Sequence, residues 1–107
     1  MNYAYNGRII EVDLSMQSYR EILIDPAIVR TRLLGSGYAA NYFLKYLDIS
    51  ADPLSPKAPL FILAGLVTGT PFLTACKMSV CGRSPLTGIW NESTVGGHFA
   101  QIGRPHV

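Results

Sequence analysis

LFILAGLVTGTPFLTACKMSVCGRSPLTGIWNESTVGG, residues 60–97, is the stretch of sequence that decides the fold. It begins with a continuous apolar run over residues 60–64, bounded by a proline and a glycine, which is typical of a strand covered on both faces. Glycines and prolines interrupt the rest, and we expect short strands over residues 77–82 and 89–93 with loops between them. The stretch therefore predicts a small sheet whose strands are joined by glycine-rich loops.

The chain before this stretch has the pattern of a β-hairpin followed by a helix. Residues 3–24 form two strand-like arms around a polar turn. In the first arm apolar and acidic residues alternate: Ile10, Val12 and Leu14 against Glu11 and Asp13. Asp25 can cap a helix that Pro26 begins, and we expect Gly35 to end that helix.

A second helix is expected after Gly35. Its buried stripe is predicted on residues spaced i, i+3, i+4 and i+7: Ala40, Phe43, Leu44 and Leu47. The two prolines of Asp-Pro-Leu-Ser-Pro, residues 52–56, end this helix because each removes a backbone donor and fixes φ. The order of hairpin, two helices and glycine-interrupted strands predicts an α+β fold.

Length and composition bound the class of protein. A chain of 107 residues is one domain at most, and 49% hydrophobic against 15% charged residues is apolar for a free-standing domain. We therefore expect a partner or further sequence to cover apolar surface. A net charge of +2 without a basic run gives no indication of nucleic-acid binding.

Location is inferred from what the sequence lacks. The longest apolar run, residues 60–66, is far short of the roughly 20 residues that span a membrane. No signal peptide is visible after Met1, and two cysteines are too few for a secreted disulfide framework. We expect a cytoplasmic protein that contacts no membrane.

The glycine-rich segments are candidate ligand-binding loops. Residues 65–70, GLVTGT, follow the apolar strand, but they lack the Gly-Lys-Ser/Thr ending of a nucleotide loop and the three-glycine spacing of a dinucleotide fold, which disfavours ATP and NAD. Gly96 and Gly97 precede a short helix expected over residues 98–100, where free N–H groups favour an anion. The alternative is that these glycines only form tight turns.

Two cations flank the strand expected between these loops. Lys77 and Arg83 stand six residues apart, so strict alternation places both side chains on the same face. Such a pair could contact a phosphate, and the alternative is a solvated charged face.

No catalytic residue is recognisable. Cys76 and Cys81 form a C-x4-C pair, which cannot complete a zinc site or an iron–sulfur cluster because each needs about four ligands. His98 and His106 are further ligands in principle, yet nothing in the sequence places them nearby. We interpret the cysteines as buried or inert residues.

Five sequence blocks, in this order, resemble the aldehyde ferredoxin oxidoreductase family. They are NGRIIEVDL (residues 6–14), DPLSP (52–56), AGLVTGTP (64–71), RSPLTG (83–88) and GGHF (96–99). The resemblance implies that residues 1–107 are about half of the N-terminal domain of such an enzyme, which forms a base for a tungsten or molybdenum bis-pterin cofactor.

The resemblance also implies a set of cofactor-binding residues. Lys77 stands where the family commonly has an arginine at the pterin, and Lys keeps the charge but loses the planar two-pronged grip. Thr94 stands where an asparagine lies near the pterin phosphate and a bridging Mg²⁺, which Thr94 would hold through its backbone. Val95, Gly96 and Gly97 are expected in the same loop. With Arg83 from the pair above, these residues are the predicted tungstopterin or molybdopterin site.

The whole enzyme implied by the resemblance oxidises aldehydes to carboxylic acids and passes electrons through an iron–sulfur (4Fe–4S) cluster to ferredoxin. The cluster cysteines belong to missing C-terminal domains, so this chain does not ligate the cluster and is expected to be inactive alone. Two alternatives stay open. One is a stand-alone binding or accessory module for a phosphorylated ligand, and the other is a truncated remnant without activity that self-associates as a homodimer.

Overall fold

The computed structural model describes residues 7–46, 50–68, 70–73 and 75–99. The elements follow in the order β1 (Arg8–Asp13), β2 (Ser18–Leu23), α1 (Pro26–Arg32), α2 (Ser36–Tyr46), β3 (Phe61–Ala64), β4 (Lys77–Arg83) and β5 (Trp90–Gly96). Strands β1 and β2 form one sheet, and β3, β4 and β5 form an antiparallel sheet in that order. The α+β fold and the succession of its elements are confirmed.

A side-chain acceptor closes the β1–β2 turn. The Asp13 carboxylate accepts the N–H groups of Ser15 (3.0 Å) and Met16 (3.2 Å). Gln17 takes a positive φ of 52° before β2 begins. An acidic residue at the end of a strand can therefore close a hairpin by bonding its own turn. The residues of the expected first arm before Gly7 lie outside the described part of the chain.

Helix α1 starts as expected and ends earlier than expected. Asp25 is its N-cap, and its carboxylate accepts a backbone N–H of the first turn at 2.9 Å. Leu33, with a φ of 61°, takes the C-cap position that was predicted for Gly35. The early end follows from close packing of the two helices, because a Cβ at Gly37 would collide with the last carbonyl oxygen of α1. The glycine therefore lets α2 begin almost at once.

The predicted buried stripe of α2 is wrong in its phase. Ala39 (0% exposed) and Phe43 (7%) are buried, Ala40 is half-buried and Leu44 is 83% exposed. Leu47 lies outside the described residues. Each step along a helix rotates the side chain by about 100°, so the row that faces the sheet passes through Ala39 and Phe43 and leaves Leu44 in solvent.

The core lies between α2 and one face of the β3–β4–β5 sheet. The Phe43 ring packs edge-on against Trp90 (centroids 5.1 Å apart) and at a tilt against Phe61 (5.7 Å), which also contacts Tyr42 (5.1 Å). Fully buried Cys81 pairs with Phe61 in the sheet. Aromatic rings carry large apolar areas, and this cluster joins the helices to the sheet.

The other face of the same sheet stays open, which corrects the expectation that residues 60–64 are covered on both sides. Ile62 is 55% exposed, and Val95, two strands away, is 45% exposed. The first hairpin is similar: on one of its faces Val12 is 59% exposed and its cross-strand partner Tyr19 75%. A two-stranded hairpin alone is marginally stable. Exposed apolar faces of this extent indicate surfaces made for a partner or for further chain.

No helix within the described ranges is both long and apolar enough to cross a bilayer.

Candidate cofactor-binding site

The glycine-rich segments converge on Lys77, the first residue of β4. Gly96 of β5 is its direct cross-strand partner. The N–H of Gly65 donates to the Lys77 carbonyl oxygen (3.2 Å), and the N–H of Gly97 donates to the carbonyl oxygen of Cys76 (3.2 Å). Segments that are 12 to 20 residues from Lys77 in sequence are thus adjacent in space. This end of the sheet, defined by Lys77, Gly65, Gly96 and Gly97, is called the glycine end below.

The Lys77 ammonium group lies over a backbone that has no side chain. A Cβ at Gly96 would stand 3.1 Å from Lys77 Nζ, so a larger residue would require the amine to shift by a few tenths of an ångström. A Cβ at Gly97, whose φ is +120°, would meet no atom within 4 Å. Among the described residues no carboxylate pairs with Lys77. An unpaired cation over exposed glycine backbone suits a phosphate group, which seeks both charge and close approach.

Strand β5 is longer than expected, and it contains two residues that were predicted in a loop. Thr94 pairs with Ser79, and Val95 pairs with Met78. Because neighbours along a strand point to opposite faces, the Thr94 side chain shares the face of Lys77 and the Val95 side chain does not. The Val95 side chain therefore points away from a ligand at the glycine end.

Arg83 does not converge with Lys77, which corrects the interpretation that the pair contacts one phosphate. The two backbones are roughly 20 Å apart at the rise of an extended strand. Arg83 Nε donates to the Gly88 carbonyl oxygen (2.6 Å), and Nη1 donates to that of Ala51 (2.7 Å). The guanidinium therefore clamps the β4–β5 turn to the segment after α2, while the Lys77 amine lies over Gly96.

We expect Arg83→Lys to lower the free energy of unfolding by about 1–3 kcal/mol, because one amine cannot reproduce both half-buried bonds. Denaturant unfolding followed by circular dichroism measures the change. Arg30→Lys, on the exposed surface of α1, is the matched control and should stay within about 0.5 kcal/mol of the parent. Equal stability of the Arg83 and Arg30 variants would contradict the clamp.

Two pockets in the described structure lie away from the glycine end. One, of about 200 Å³, lies beside Arg83, with walls that include Tyr42, Phe43, Tyr46 and Lys57. The second, of about 100 Å³, is lined by residues of α1 and α2 including Tyr38, and burial raises the pKa of that tyrosine, with smaller contributions from Tyr42 and Tyr46. Neither pocket includes Lys77. Lys77, Gly96 and Gly97 are exposed.

Neither cysteine belongs to a metal-binding cluster of described residues. Within the described ranges no three His, Cys, Asp or Glu side chains come close enough to hold a metal ion. Cys81 is fully buried, and Cys76 is half-buried and free. His98 is exposed, and His106 lies outside the described residues. Burial raises the pKa of the Cys81 thiol, and the charge of Glu92 raises it further.

This pKa shift predicts a pH dependence of stability. Because the Cys81 pKa is higher in the folded state, its contribution is fully present below the ordinary cysteine pKa of about 8.5 and is lost as pH rises above it. The parent should therefore lose more stability than Cys81→Ala when the pH is raised across this range. Unfolding curves at a series of pH values measure the slope. Parallel slopes for the two proteins would contradict the shift.

The family model for the N-terminal domain of aldehyde ferredoxin oxidoreductase matches residues 9–104, and the chain belongs to this family. It is similar to the tungsten-containing aldehyde ferredoxin oxidoreductases of Pyrococcus furiosus (37% identical over 97 residues) and Pyrococcus horikoshii (32% over 97 residues). Each alignment covers 91% of this chain and 16% of the relative.

Two further relatives carry other names. An aliphatic sulfonate oxidoreductase subunit of Pyrococcus furiosus is 30% identical over 86 residues, which are 78% of this chain and 14% of the relative. The solved active-site complex BamBC of benzoyl coenzyme A reductase, in complex with 1,5-dienoyl-CoA, superposes with a TM-score of 0.90 and 33% identity, over 94% of this chain and 16% of that one. The chain spans about one sixth of the length of the relatives it matches.

Proposed function

We propose that residues 1–107 form part, about half, of a pterin-binding N-terminal domain, and that the glycine end binds the phosphate of the pterin cofactor. The observation that carries this proposal is the convergence of Lys77 with Gly65, Gly96 and Gly97 on one exposed surface. Membership in a family whose named members contain tungsten supports it.

Each residue of the site has a separate role in this proposal. The Lys77 ammonium pairs with a phosphate oxygen as a point charge, whereas an arginine would bind two oxygens in one plane. Gly96 and Gly97 let the backbone approach the phosphate closely. Thr94 would hold a Mg²⁺ ion through its backbone carbonyl, since magnesium prefers oxygen ligands. Val95 pairs with Met78 and aligns the strand next to Gly96, and Arg83 stabilises the far end of the same sheet.

The reaction belongs to a larger protein. We propose oxidation of an aldehyde to a carboxylic acid, because the aldehyde ferredoxin oxidoreductase of Pyrococcus furiosus is 37% identical to this chain, against 33% for the benzoyl coenzyme A reductase complex and 30% for the sulfonate relative. The metal held by the pterin would supply the two-electron chemistry, and this chain would supply charge and orientation. The 4Fe–4S cluster and the ferredoxin contact would lie in the remainder of a cytoplasmic enzyme, and the isolated chain would not turn over substrate.

The exposed apolar faces support two candidate partners. The missing domains of the enzyme would cover the open sheet face around Ile62 and Val95. Alone, the chain would pair through an unfilled sheet edge with a second copy, because β3 and β5 are edge strands and all seven residues of β5 are exposed. Light scattering of the purified chain should then give the mass of a homodimer. A stable, folded monomer would contradict the pairing.

Cofactor content tests the proposal and separates it from its alternatives. The protein purified from cells that make the cofactor should contain tungsten or molybdenum by elemental analysis and should release a fluorescent pterin. An accessory module for another phosphorylated ligand would release neither, although it would still bind phosphate at Lys77. Absence of metal, pterin and phosphate binding would contradict the proposal and favour an inactive remnant.

A further inference from the structure

Thr68 is a buried polar residue that contacts the backbone of Lys77. It is only 2% exposed although it lies in the turn that follows β3. Its hydroxyl donates to the Lys77 carbonyl oxygen at 2.8 Å. The same oxygen accepts the N–H of Gly65 at 3.2 Å. Two donors from one turn therefore fix a single carbonyl, and burial strengthens such bonds by excluding water.

These bonds hold Lys77 on the side of β4 where the pairing with β3 does not reach it. The ladder between β3 and β4 reaches only to the pair Ala64 and Met78, so Lys77 has no strand partner on that side. Thr68 and Gly65 extend the attachment by one residue. A Cβ at Gly65 would stand 3.1 Å from Thr68 Oγ1, and the glycine thus leaves space for the hydroxyl.

On its other side Lys77 pairs with Gly96, and its amine lies over that glycine. The carbonyl and the side chain of Lys77 leave the same Cα, so a change in the orientation of the peptide changes where the long side chain can reach. A hydroxyl that fixes the carbonyl thereby restricts the position of the amine. Thr68 restricts the amine through the Lys77 backbone, and it needs no contact with a ligand to do so.

We infer that Thr68 is a positioning residue, which holds the backbone of Lys77 so that the ammonium group stays over Gly96 at the phosphate site. The inference rests on the proposed function for its biological meaning, but the position of the Lys77 side chain can be tested without any ligand. The chemistry that this site recognises is a phosphate monoester or a pyrophosphate group.

Three substitutions in the 107-residue chain isolate the hydroxyl. Thr68→Val removes the donor at almost constant volume, Thr68→Ser restores the donor, and Thr70→Val removes another hydroxyl of the same turn, which donates to Val67 at 2.6 Å and does not contact Lys77. NMR cross-peaks between the Lys77 side-chain methylenes and the Gly96 α protons report the position of the amine. We expect them to weaken strongly in Thr68→Val and to persist in Thr68→Ser and Thr70→Val.

Persistence of the cross-peaks in folded Thr68→Val overturns the inference, and so does their loss in Thr70→Val. If Thr68→Val does not fold, weak cross-peaks in folded Thr68→Ser also overturn it, and intact ones support it.

Titration with inorganic pyrophosphate separates this inference from the proposed function. If both are correct, Thr68→Val and Lys77→Ala weaken binding by similar factors, about tenfold or more, and the double variant binds no more weakly than Lys77→Ala. Additive losses would show that Thr68 acts independently of Lys77 and would overturn its positioning role. Unchanged binding by Lys77→Ala, with the cross-peaks behaving as expected, would contradict the phosphate site and leave the positioning role supported.

Discussion

Phe43→Ala should lower the free energy of unfolding by about 3–5 kcal/mol, the range for deletion of a large buried aromatic side chain. Phe43 is 7% exposed, and its ring contacts both Phe61 and Trp90 at the two edges of the sheet. The loss is severe here because few large side chains are buried, and a domain has only about 5–15 kcal/mol of stability. The variant should therefore unfold at a clearly lower temperature and denaturant concentration than the parent, as measured by thermal and denaturant unfolding.

The neighbouring residue provides the control. Leu44 is 83% exposed, about 100° around α2 from Phe43, and Leu44→Ala should change stability by less than about 0.5 kcal/mol. Both variants keep a residue with high helix propensity, so their difference reports packing. A larger loss for Leu44→Ala than for Phe43→Ala would mean that α2 presents its other side to the sheet, and the fold described above would be wrong.

Lys77→Ala is expected to weaken binding of inorganic pyrophosphate by about 10- to 100-fold, because hydrogen bonds to charged groups contribute about 1.5–3 kcal/mol. The side chain is exposed and unpaired by any described carboxylate, so its removal should cost little stability. Isothermal titration calorimetry at about 0.1 M salt measures the affinity, since the Debye length there is about 10 Å and charges at the far end of the sheet are screened. Lys77→Arg should restore binding, because the planar guanidinium suits phosphate at least as well.

A second lysine distinguishes a local contact from a general charge effect. Lys57 lies beside the Arg83 pocket at the other end of the sheet, and Lys57→Ala should leave pyrophosphate binding within about twofold, as expected for a charge beyond a Debye length. Equal losses for Lys57→Ala and Lys77→Ala would show that only net charge matters. The glycine end would then have no special role.

The parts of the fold that depend on neighbours in sequence could be predicted. Asp25 and Pro26 mark the start of α1 because capping and a fixed φ act within one turn. The hairpin follows from alternation over a few residues, and β4 begins at Lys77 as expected. The resemblance of five short blocks identified the family, since their order adds information that no single block carries.

The features that the sequence did not predict depend on contacts between residues that are distant in sequence. The predicted stripe of α2 wrongly included Leu44, because the pattern alone does not show where the sheet lies. The sheet faces Phe43 and leaves Leu44 exposed. Arg83 was interpreted as a candidate phosphate ligand because the sequence does not show its bond to Ala51, a residue 32 positions away. Thr68 was not predicted as part of the site, because the sequence does not show that its hydroxyl reaches the Lys77 backbone.

The candidate site was also only partly predictable from the sequence. Its charge and its glycines were visible in the sequence, but their convergence depends on the register of β4 with β5. Pairing of Lys77 with Gly96 extends β5 beyond the residues 89–93 that composition suggested. The extension brings Gly97 next to Cys76 and places Thr94 and Val95 on opposite faces. Register is a property of two strands together, and one strand alone does not specify it.

The most direct test of pterin phosphate binding follows the backbone amides of the isotope-labelled chain by NMR during titration with a phosphorylated pterin. The shifts of Lys77, Gly96 and Gly97 should move first and most, and the movement should vanish in Lys77→Ala. Changes confined to the pocket beside Arg83, with Gly96 and Gly97 unmoved, would contradict the proposed site.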